Sequence, residues 1–136
     1  MGSWTVSRRS CHGGRGPEPW LPVGRDYTVR NVQSQLRDPD SHLSLYRRLL
    51  SLRRRSQALR TGAYQPVDPV PPDCFVFERT EATERVFVAI NFSPDPRAVQ
   101  HAGLAGRVVV STHRQSEGTA VTGALHLQPY EAVVVA

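Results

Sequence analysis

Residues 74–92 read "CFVFERTEATERVFVAINF" and contain two apolar-rich runs separated by a short polar stretch. The runs are "CFVFERT" (74–80) and "RVFVAINF" (85–92), and the four residues between them give the spacing of a β-hairpin. The second run is apolar on both faces, with Val86, Val88, Ile90 and Phe92 on one and Phe87 and Ala89 on the other. We therefore expect the second strand to be central in a sheet and the strand phenylalanines to lie in the core, namely Phe75, Phe77, Phe87 and Phe92.

Four more strand-like segments follow the hairpin. The chain turns at "NFSPDP" (91–96), because Pro94 and Pro96 cannot continue a β-ladder. The segments are "RAVQHA" (97–102), "RVVVST" (107–112), "ALHLQ" (124–128) and "EAVVVA" (131–136). Six or seven short strands at this spacing are typical of an antiparallel β-sandwich. The sequence predicts a mainly β fold, with the sandwich over residues 62–136.

One long amphipathic helix is predicted before the sandwich, starting in "DPDSHLSLYRRLLSLRRR" (38–55). Asp38 is the expected N-cap, Pro39 suits the first helical position, and Gly62 is the expected stop. At 100° per residue the leucines and Tyr46 cover roughly half of the helix circumference, which is wider than one packing seam requires. Such a helix is expected to pack against two partners.

Most arginines of this helix lie opposite the leucines, which favours a solvated face. Nucleic-acid binding is the alternative, but the arginine face of the helix carries no aromatic, Asn or Gln residue that could stack on bases or read them. Arg53 is the exception, because it falls between the two leucine clusters. A desolvated guanidinium without partners is costly, so Arg53 is expected to bond backbone carbonyls or a carboxylate, with Glu131 as one candidate.

The remaining composition places bounds on the chain. Residues 1–60 hold twelve arginines against four acidic residues, whereas residues 61–136 hold five against eight, and there is no lysine. Residues 1–18 lack a hydrophobic period and are predicted to be disordered. Residues 19–61 comprise an irregular apolar segment, with Pro19 and Pro22 around Trp20, and then the helix. Three units are therefore expected, at 1–18, 19–61 and 62–136.

Cysteine spacing and hydropathy indicate the compartment. Cys11 and Cys74 form no C-x-x-C pair, so neither a zinc site nor a disulfide framework is signalled, and a reduced, cytoplasmic setting fits. No segment has the length and apolar content of a signal peptide core or a membrane span. We expect no cofactor, no metal and no membrane partner.

No catalytic motif is recognisable. There is no G-x-S-x-G or H-E-x-x-H sequence, and none of the five histidines stands at metal-ligand spacing. A glycosidase needs two carboxyl groups about 5–10 Å apart in one pocket. Only Glu131, which follows Tyr130 in "LQPYEAVVVA", lies among apolar residues, and a structural hydrogen-bonding role is expected for it. The structural residues that we single out are Asp38, Pro39, Arg53, Gly62, Tyr130 and Glu131.

Five segments in this order resemble the carboxy-terminal end of the alpha-amylase superfamily, specifically the alpha-glucosidases, oligo-1,6-glucosidases and trehalose-forming relatives of glycoside hydrolase family 13. The segments are "PWLPV" (19–23), "NVQSQLRDPDSHLSLYRRLLSLRR" (31–54), "ALRTGAY" (58–64), "VFVAINFS" (86–93) and "LQPYEAVVV" (127–135). The resemblance implies that the helix is the last helix of a TIM barrel and that the strands form the small sandwich called domain C.

The resemblance also implies where the chemistry would be. In the family the catalytic carboxylates lie at the ends of earlier barrel strands, so no residue of this chain inherits those roles, and the chain is expected to be inactive alone. Its start does not look like the sequence that usually precedes "PWLPV", which suggests a truncated or frame-shifted gene. The expected partners are a separately encoded barrel or a second copy bound through the helix. A carbohydrate-binding module with Trp20 and Tyr27 as platform remains an alternative.

Overall fold

A computed structural model describes residues 24–136 of the chain. The predicted disorder of residues 1–18 and the docking of Trp20 fall outside the described residues. The described part divides into two compact units, one ending at Arg47 and the other running from Arg48 to Ala136. None of its helices has both the length and the apolar composition needed to cross a membrane.

Helix α1 (Val32–Arg37) and the start of α2 (His42–Arg55) form the described part of the first unit. Asn31 caps α1, because its Oδ1 accepts from the Ser34 amide at 2.9 Å and the Ser34 hydroxyl accepts from the Asn31 amide at 3.3 Å. This reciprocal arrangement is a capping box. Helix α1 was not predicted from the sequence, because its six residues are too few to show a helical period.

The predicted start of the long helix is wrong. Helix α2 begins at His42, and Asp38 is the C-cap of α1, with Pro39 in the turn between the two helices. The Asp38 carboxylate accepts locally from the Asp40 amide at 2.9 Å. The buried Ser41 hydroxyl instead accepts from the Ser44 amide at 3.2 Å, three residues on, which is the bond that an N-cap makes.

The helix also ends earlier than predicted. Helix α2 stops at Arg55, Ser56 is extended, and a second helix, α3, covers Gln57–Thr61. The Ser56 hydroxyl accepts from the Leu59 amide at 3.0 Å, and Glu84 accepts from the Ala58 amide at 2.9 Å. Two acceptors at one point let the chain break and restart its helix, since they satisfy amides that would otherwise lack partners.

Six strands follow: β1 (Ala63–Pro66), β2 (Cys74–Glu81), β3 (Glu84–Asn91), β4 (Arg97–Ser111), β5 (Ala120–Leu127) and β6 (Ala132–Val135). Their order is β1-β2-β3-β6-β4-β5, and every neighbouring pair is antiparallel. The predicted hairpin is β2–β3, with Val76 opposite Ala89, and β3 lies between β2 and β6. The antiparallel β-sandwich expected from the sequence is confirmed.

Strand β4 joins two predicted strands into one. A register shift between Gln100 and Ala105 separates its two pairings with β5, and its last residues pair with β6 instead. Gly106 lies just after this shift, with φ +146°. A bulge of this kind bends a strand, so β4 can pair with β5 over most of its length and with β6 at its end. The core between the layers consists of Val67, Val76, Phe87, Ala89, Val99, Leu104, Val108, Val121, Leu125, Leu127, Val133 and Val135.

Two phenylalanines expected in the core are exposed. Phe92 lies just beyond the end of β3 and is 63% exposed, and Phe75 is 45% exposed on the face of β2 opposite Val76. Phe87 is fully buried, as expected, and Phe77 is half-buried between Phe75 and Tyr64, with ring centroids 5.5 and 5.2 Å away. Strand alternation assigns residues to faces, but it does not say which face meets the second layer.

Candidate functional site

Glu131 is the most deeply buried carboxylate among the described residues, with none of its surface exposed. It follows Tyr130, whose left-handed backbone (φ +55°) turns the chain into β6 and whose amide donates to the Ser93 carbonyl at 3.1 Å. The Ser111 hydroxyl donates to Oε1 at 2.7 Å, and the Gln128 amide donates to Oε2 at 2.8 Å. Both carboxylate oxygens therefore have donors supplied by the sandwich.

Two opposing effects act on the pKa of Glu131. Burial raises it, since a charge is poorly solvated inside a protein, but hydrogen bonds involving Ser116, Gln128 and Ser111 and the nearby His113 lower it. The lowering effects together are larger, and the pKa lies below its ordinary value. A glycosidase general acid requires the opposite shift, because it must hold a proton at working pH. The arrangement at Glu131 is suited to fixing the turn before β6.

Other carboxylates of the described region bind arginine side chains. Arg97 lies 3.0 Å from Asp73, Arg85 lies 3.8 Å from Glu78, and Arg30 lies 3.4 Å from Asp26. Arg48 donates to Glu117, which also accepts from the Ser111 amide at 3.0 Å. Glu84 instead receives the N-terminal amides of α3. These contacts are made with groups of the fold itself, although the buried Oε2 of Glu78 accepts no hydrogen bond from the described residues.

Nucleophile and metal chemistry receive no support from this part of the chain. Burial raises the pKa of the Cys74 thiol, although Arg97 partly opposes the shift, and a raised pKa disfavours the thiolate that attacks substrates. Between residues 24 and 136, no group of three or more His, Cys, Asp or Glu side chains is placed to hold a metal ion.

Arg53 does not have the environment predicted for it. It is exposed on α2, and no hydrogen bond or ion pair joins it to another described residue. Glu131, its candidate partner, is occupied by Ser111 and Gln128. The arginine that does meet a carboxylate is Arg48, which the helical wheel placed on the solvated face. Sequence position could not identify this pair, because Arg48 and Glu117 are 69 residues apart.

The apolar face of α2 is largely uncovered. None of its fourteen residues is buried, and Tyr46, Leu49 and Leu50 are exposed by 66%, 36% and 49%.

Gly62, after α3, has an ordinary φ of −60°, so it does not act through a left-handed backbone. Glycine is required there by space, since a Cβ would lie 2.5 Å from the Ala58 carbonyl oxygen and 2.8 Å from that of Thr80.

Comparison with known protein families identifies the class of protein to which the chain belongs. Residues 64–134 match the family described as maltogenic amylase, C-terminal domain, and residues 3–62 match the alpha amylase, catalytic domain. The chain thus carries an amylase-type C-terminal β-domain joined to a segment of the catalytic domain. It belongs to the alpha-amylase family, glycoside hydrolase family 13, and represents its carboxy-terminal part.

Individual proteins and one solved structure of this family are also similar to the chain. Trehalose-6-phosphate hydrolase of Escherichia coli (strain K12) is 29% identical over 116 residues, which cover 85% of this chain and 21% of that protein. Probable oligo-1,6-glucosidase 2 of Bacillus subtilis (strain 168) is 32% identical over 93 residues, which cover 68% of this chain and 17% of that protein. The crystal structure of the trehalulose synthase MutB from Pseudomonas mesoacidophila MX-45 matches with a TM-score of 0.79 and 30% identity, covering 97% of this chain and 24% of MutB.

The chain therefore spans about a fifth of the length of the curated relatives that it matches. The two family matches meet between residues 62 and 64, whereas the compact units of the structure divide between Arg47 and Arg48. The division into units at 18/19 and 61/62 stays a prediction.

Proposed function

We propose that this chain supplies the final helices and the C-terminal β-sandwich of an alpha-glucosidase-type enzyme and has no hydrolytic activity by itself. The observation that carries the proposal is the state of the carboxylates. Glu131 is ionised more readily than an ordinary glutamate, and Glu78, Glu84 and Glu117 are held by arginines or helix amides. A retaining or inverting glycosidase needs one carboxyl group that keeps its proton beside one that does not.

An assay of the purified chain with p-nitrophenyl α-glucoside tests this proposal. We expect no release of nitrophenol above the buffer rate, because a protonated carboxyl group facing a second carboxylate is not supported by the described residues. A preparation from cells that carry an empty vector, taken through the same purification, controls for contaminating hydrolases. Turnover that exceeds this control and co-purifies with the chain through two further columns would overturn the proposal.

We propose a partner for the chain because the apolar side chains of α2 are exposed. Residues 3–62 match a catalytic-domain family, and α2 lies within that range with no residue buried. Its leucines therefore fit the apolar surface of a catalytic barrel of this family, supplied by a separately encoded chain. We propose no nucleic-acid partner. We also propose a cytoplasmic location, because Cys74, the one cysteine in the described region, is a free thiol.

Without such a barrel, the same face is expected to join two copies of the chain. Exposed leucines at Leu49 and Leu50 each forgo part of about 1.5–3 kcal/mol of burial, and contiguous exposed apolar surface promotes association. Size-exclusion chromatography with light scattering should give a mass that rises with concentration. Leu50→Gln should weaken the association, whereas Arg54→Gln, an exposed control on the same helix, should not. A wild-type mass that stays monomeric at all concentrations would contradict this expectation.

An interaction module that binds carbohydrate is the alternative function. The exposed rings of Tyr64 and Phe75 contact Phe77 on the outer face of the sheet and offer a second aromatic surface besides the predicted Trp20 and Tyr27. The cross-strand neighbours of these rings are Pro66, Arg79, Val88 and Ile90, so a single charged side chain, that of Arg79, lies opposite the cluster. Sugar sites combine aromatic rings with several polar groups, and the composition supports a protein partner over a sugar.

A further inference from the structure

Residues 48–61 are held to the sandwich by two carboxylates, and the Thr61 hydroxyl makes a further, longer contact of 3.5 Å with Glu81. Glu84, the first residue of β3, accepts from the Ala58 amide at 2.9 Å with its Oε2, and it also bonds Ser56 and Gln57. Glu117, at the end of the 3₁₀ turn Arg114–Ser116, accepts from Arg48 and from the Ser111 amide. One carboxylate holds the start of α3 and the other holds the middle of α2.

The apolar part of this attachment consists of Ala58, which is fully buried, and of Leu52 and Leu59, which are half-buried. Helix α2 has no buried residue, and Ala58 is the one buried residue of α3. Charge-assisted hydrogen bonds are about twice as strong as neutral ones, and a carboxylate at a helix N-terminus also benefits from the helix dipole. The position of α3 therefore depends in part on a charged group, whereas the sandwich is held by its apolar core.

We propose that Glu84 forms an acid-sensitive latch, which holds the start of α3 on the sandwich when it is ionised and releases it when it is protonated, while the sandwich stays folded. Release would let the start of α3 move away from the sandwich. That this changes partner binding rests on the proposed function, but the latch itself does not.

The direction of the pH dependence follows from Glu84. Its hydrogen bonds with Ser56 and Ala58 lower its pKa from the ordinary value of 4.5. A lowered pKa in the attached state means that the attachment gains stability above the ordinary value and loses it as the pH falls through the lowered one. The latch is thus closed at neutral pH and opens in acid.

Charged neighbours do not reverse this direction. Glu81 lies opposite Glu84 across the hairpin, and Arg60 of α3 favours the ionised form of Glu84. Arg85, the next residue of β3, is paired with Glu78. Around Glu117, Arg48 comes from α2, while His113 and Arg114 belong to the segment of the 3₁₀ turn that Glu117 follows.

Native-state hydrogen exchange of the full chain tests the latch. The readout is the protection factor of the Ala58 and Leu59 amides, corrected for intrinsic exchange, compared with that of the β3 and β6 amides. Between pH 7 and about pH 3.5, one unit below the ordinary pKa, we expect protection of Ala58 and Leu59 to fall by up to about tenfold. Protection in β3 and β6 should fall much less.

Variants separate the latch from general acid instability. Glu84→Gln should show the low Ala58 and Leu59 protection already at pH 7, with little further change in acid. Asp68→Asn, which changes an exposed carboxylate between β1 and β2, should behave like the wild type. Two results would overturn the proposal: equal loss of protection in α3, β3 and β6 on acidification, or unchanged pH dependence in Glu84→Gln. Neither result bears on whether the chain hydrolyses glucosides.

Discussion

Glu131→Ala is expected to lower the free energy of unfolding by about 2–5 kcal/mol, because it removes the acceptor of one buried and one part-buried donor, and an unsatisfied buried group costs about 1–3 kcal/mol. The donors are the Ser111 hydroxyl and the Gln128 amide. The turn that leads from Tyr130 into β6 would also lose the hydrogen bonds of Glu131 that fix it. Urea unfolding followed by far-UV circular dichroism measures the change.

Two comparison variants sharpen this experiment. Glu81→Ala removes a glutamate near the surface and should cost less than about 0.5 kcal/mol. Glu131→Gln keeps the shape, but one of its terminal atoms is a donor facing another donor, so an intermediate cost is expected. Because the pKa of Glu131 is lowered, the carboxylate stabilises the fold above its ordinary pKa, and this contribution disappears as the pH falls through the lowered value. Equal stability of Glu131→Ala and the wild type at pH 7 would refute the anchoring role.

The second large effect is expected in the core. Phe87→Ala removes a ring that is 1% exposed and should destabilise the sandwich by about 3–5 kcal/mol through lost burial and a residual cavity. Phe92→Ala is the matched control, since the same ring is removed from a position that is 63% exposed. Urea midpoints of the two variants are compared at equal slope. If Phe92→Ala costs as much as Phe87→Ala, the assignment of faces given above is wrong.

Local patterns were sufficient for the strands. The β2–β3 hairpin and the central place of β3 could be predicted because alternation and apolar character on both faces are properties of a few consecutive residues. The joining of "RAVQHA" and "RVVVST" into β4 could not be predicted from the sequence, since a glycine between strand-like runs is equally compatible with a turn. The exposure of Phe75 and Phe92 depends on where the second layer lies, which no local pattern specifies.

Helix boundaries and charge pairs were predicted less well for the same reason. The break at Ser56 depends on Glu84, 26 residues from Ala58, and the Arg48 pair depends on Glu117. A helical wheel sorts arginines by face but not by what lies opposite them, so Arg53 was expected to be bonded and Arg48 solvated. Asp38 was a plausible N-cap until the short helix α1 before it became visible. The apolar surroundings of Glu131 suggested a structural role, but its donor Ser111 is 20 residues away in the sequence, and only the fold brings it close.

The strand order has a consequence for how the molecule could polymerise. Strands β1 and β5 are the two ends of the ladder and expose unpaired backbone groups, and open ladder ends are templates for fibre growth. Strand β1 is only four residues long and ends at Pro66, which offers no amide proton, while β5 contains Gly123 with φ +69° and its pairing with β4 is interrupted. Short, proline-terminated and kinked edges resist the addition of further strands. The β-domain is therefore protected against cross-β assembly at both margins.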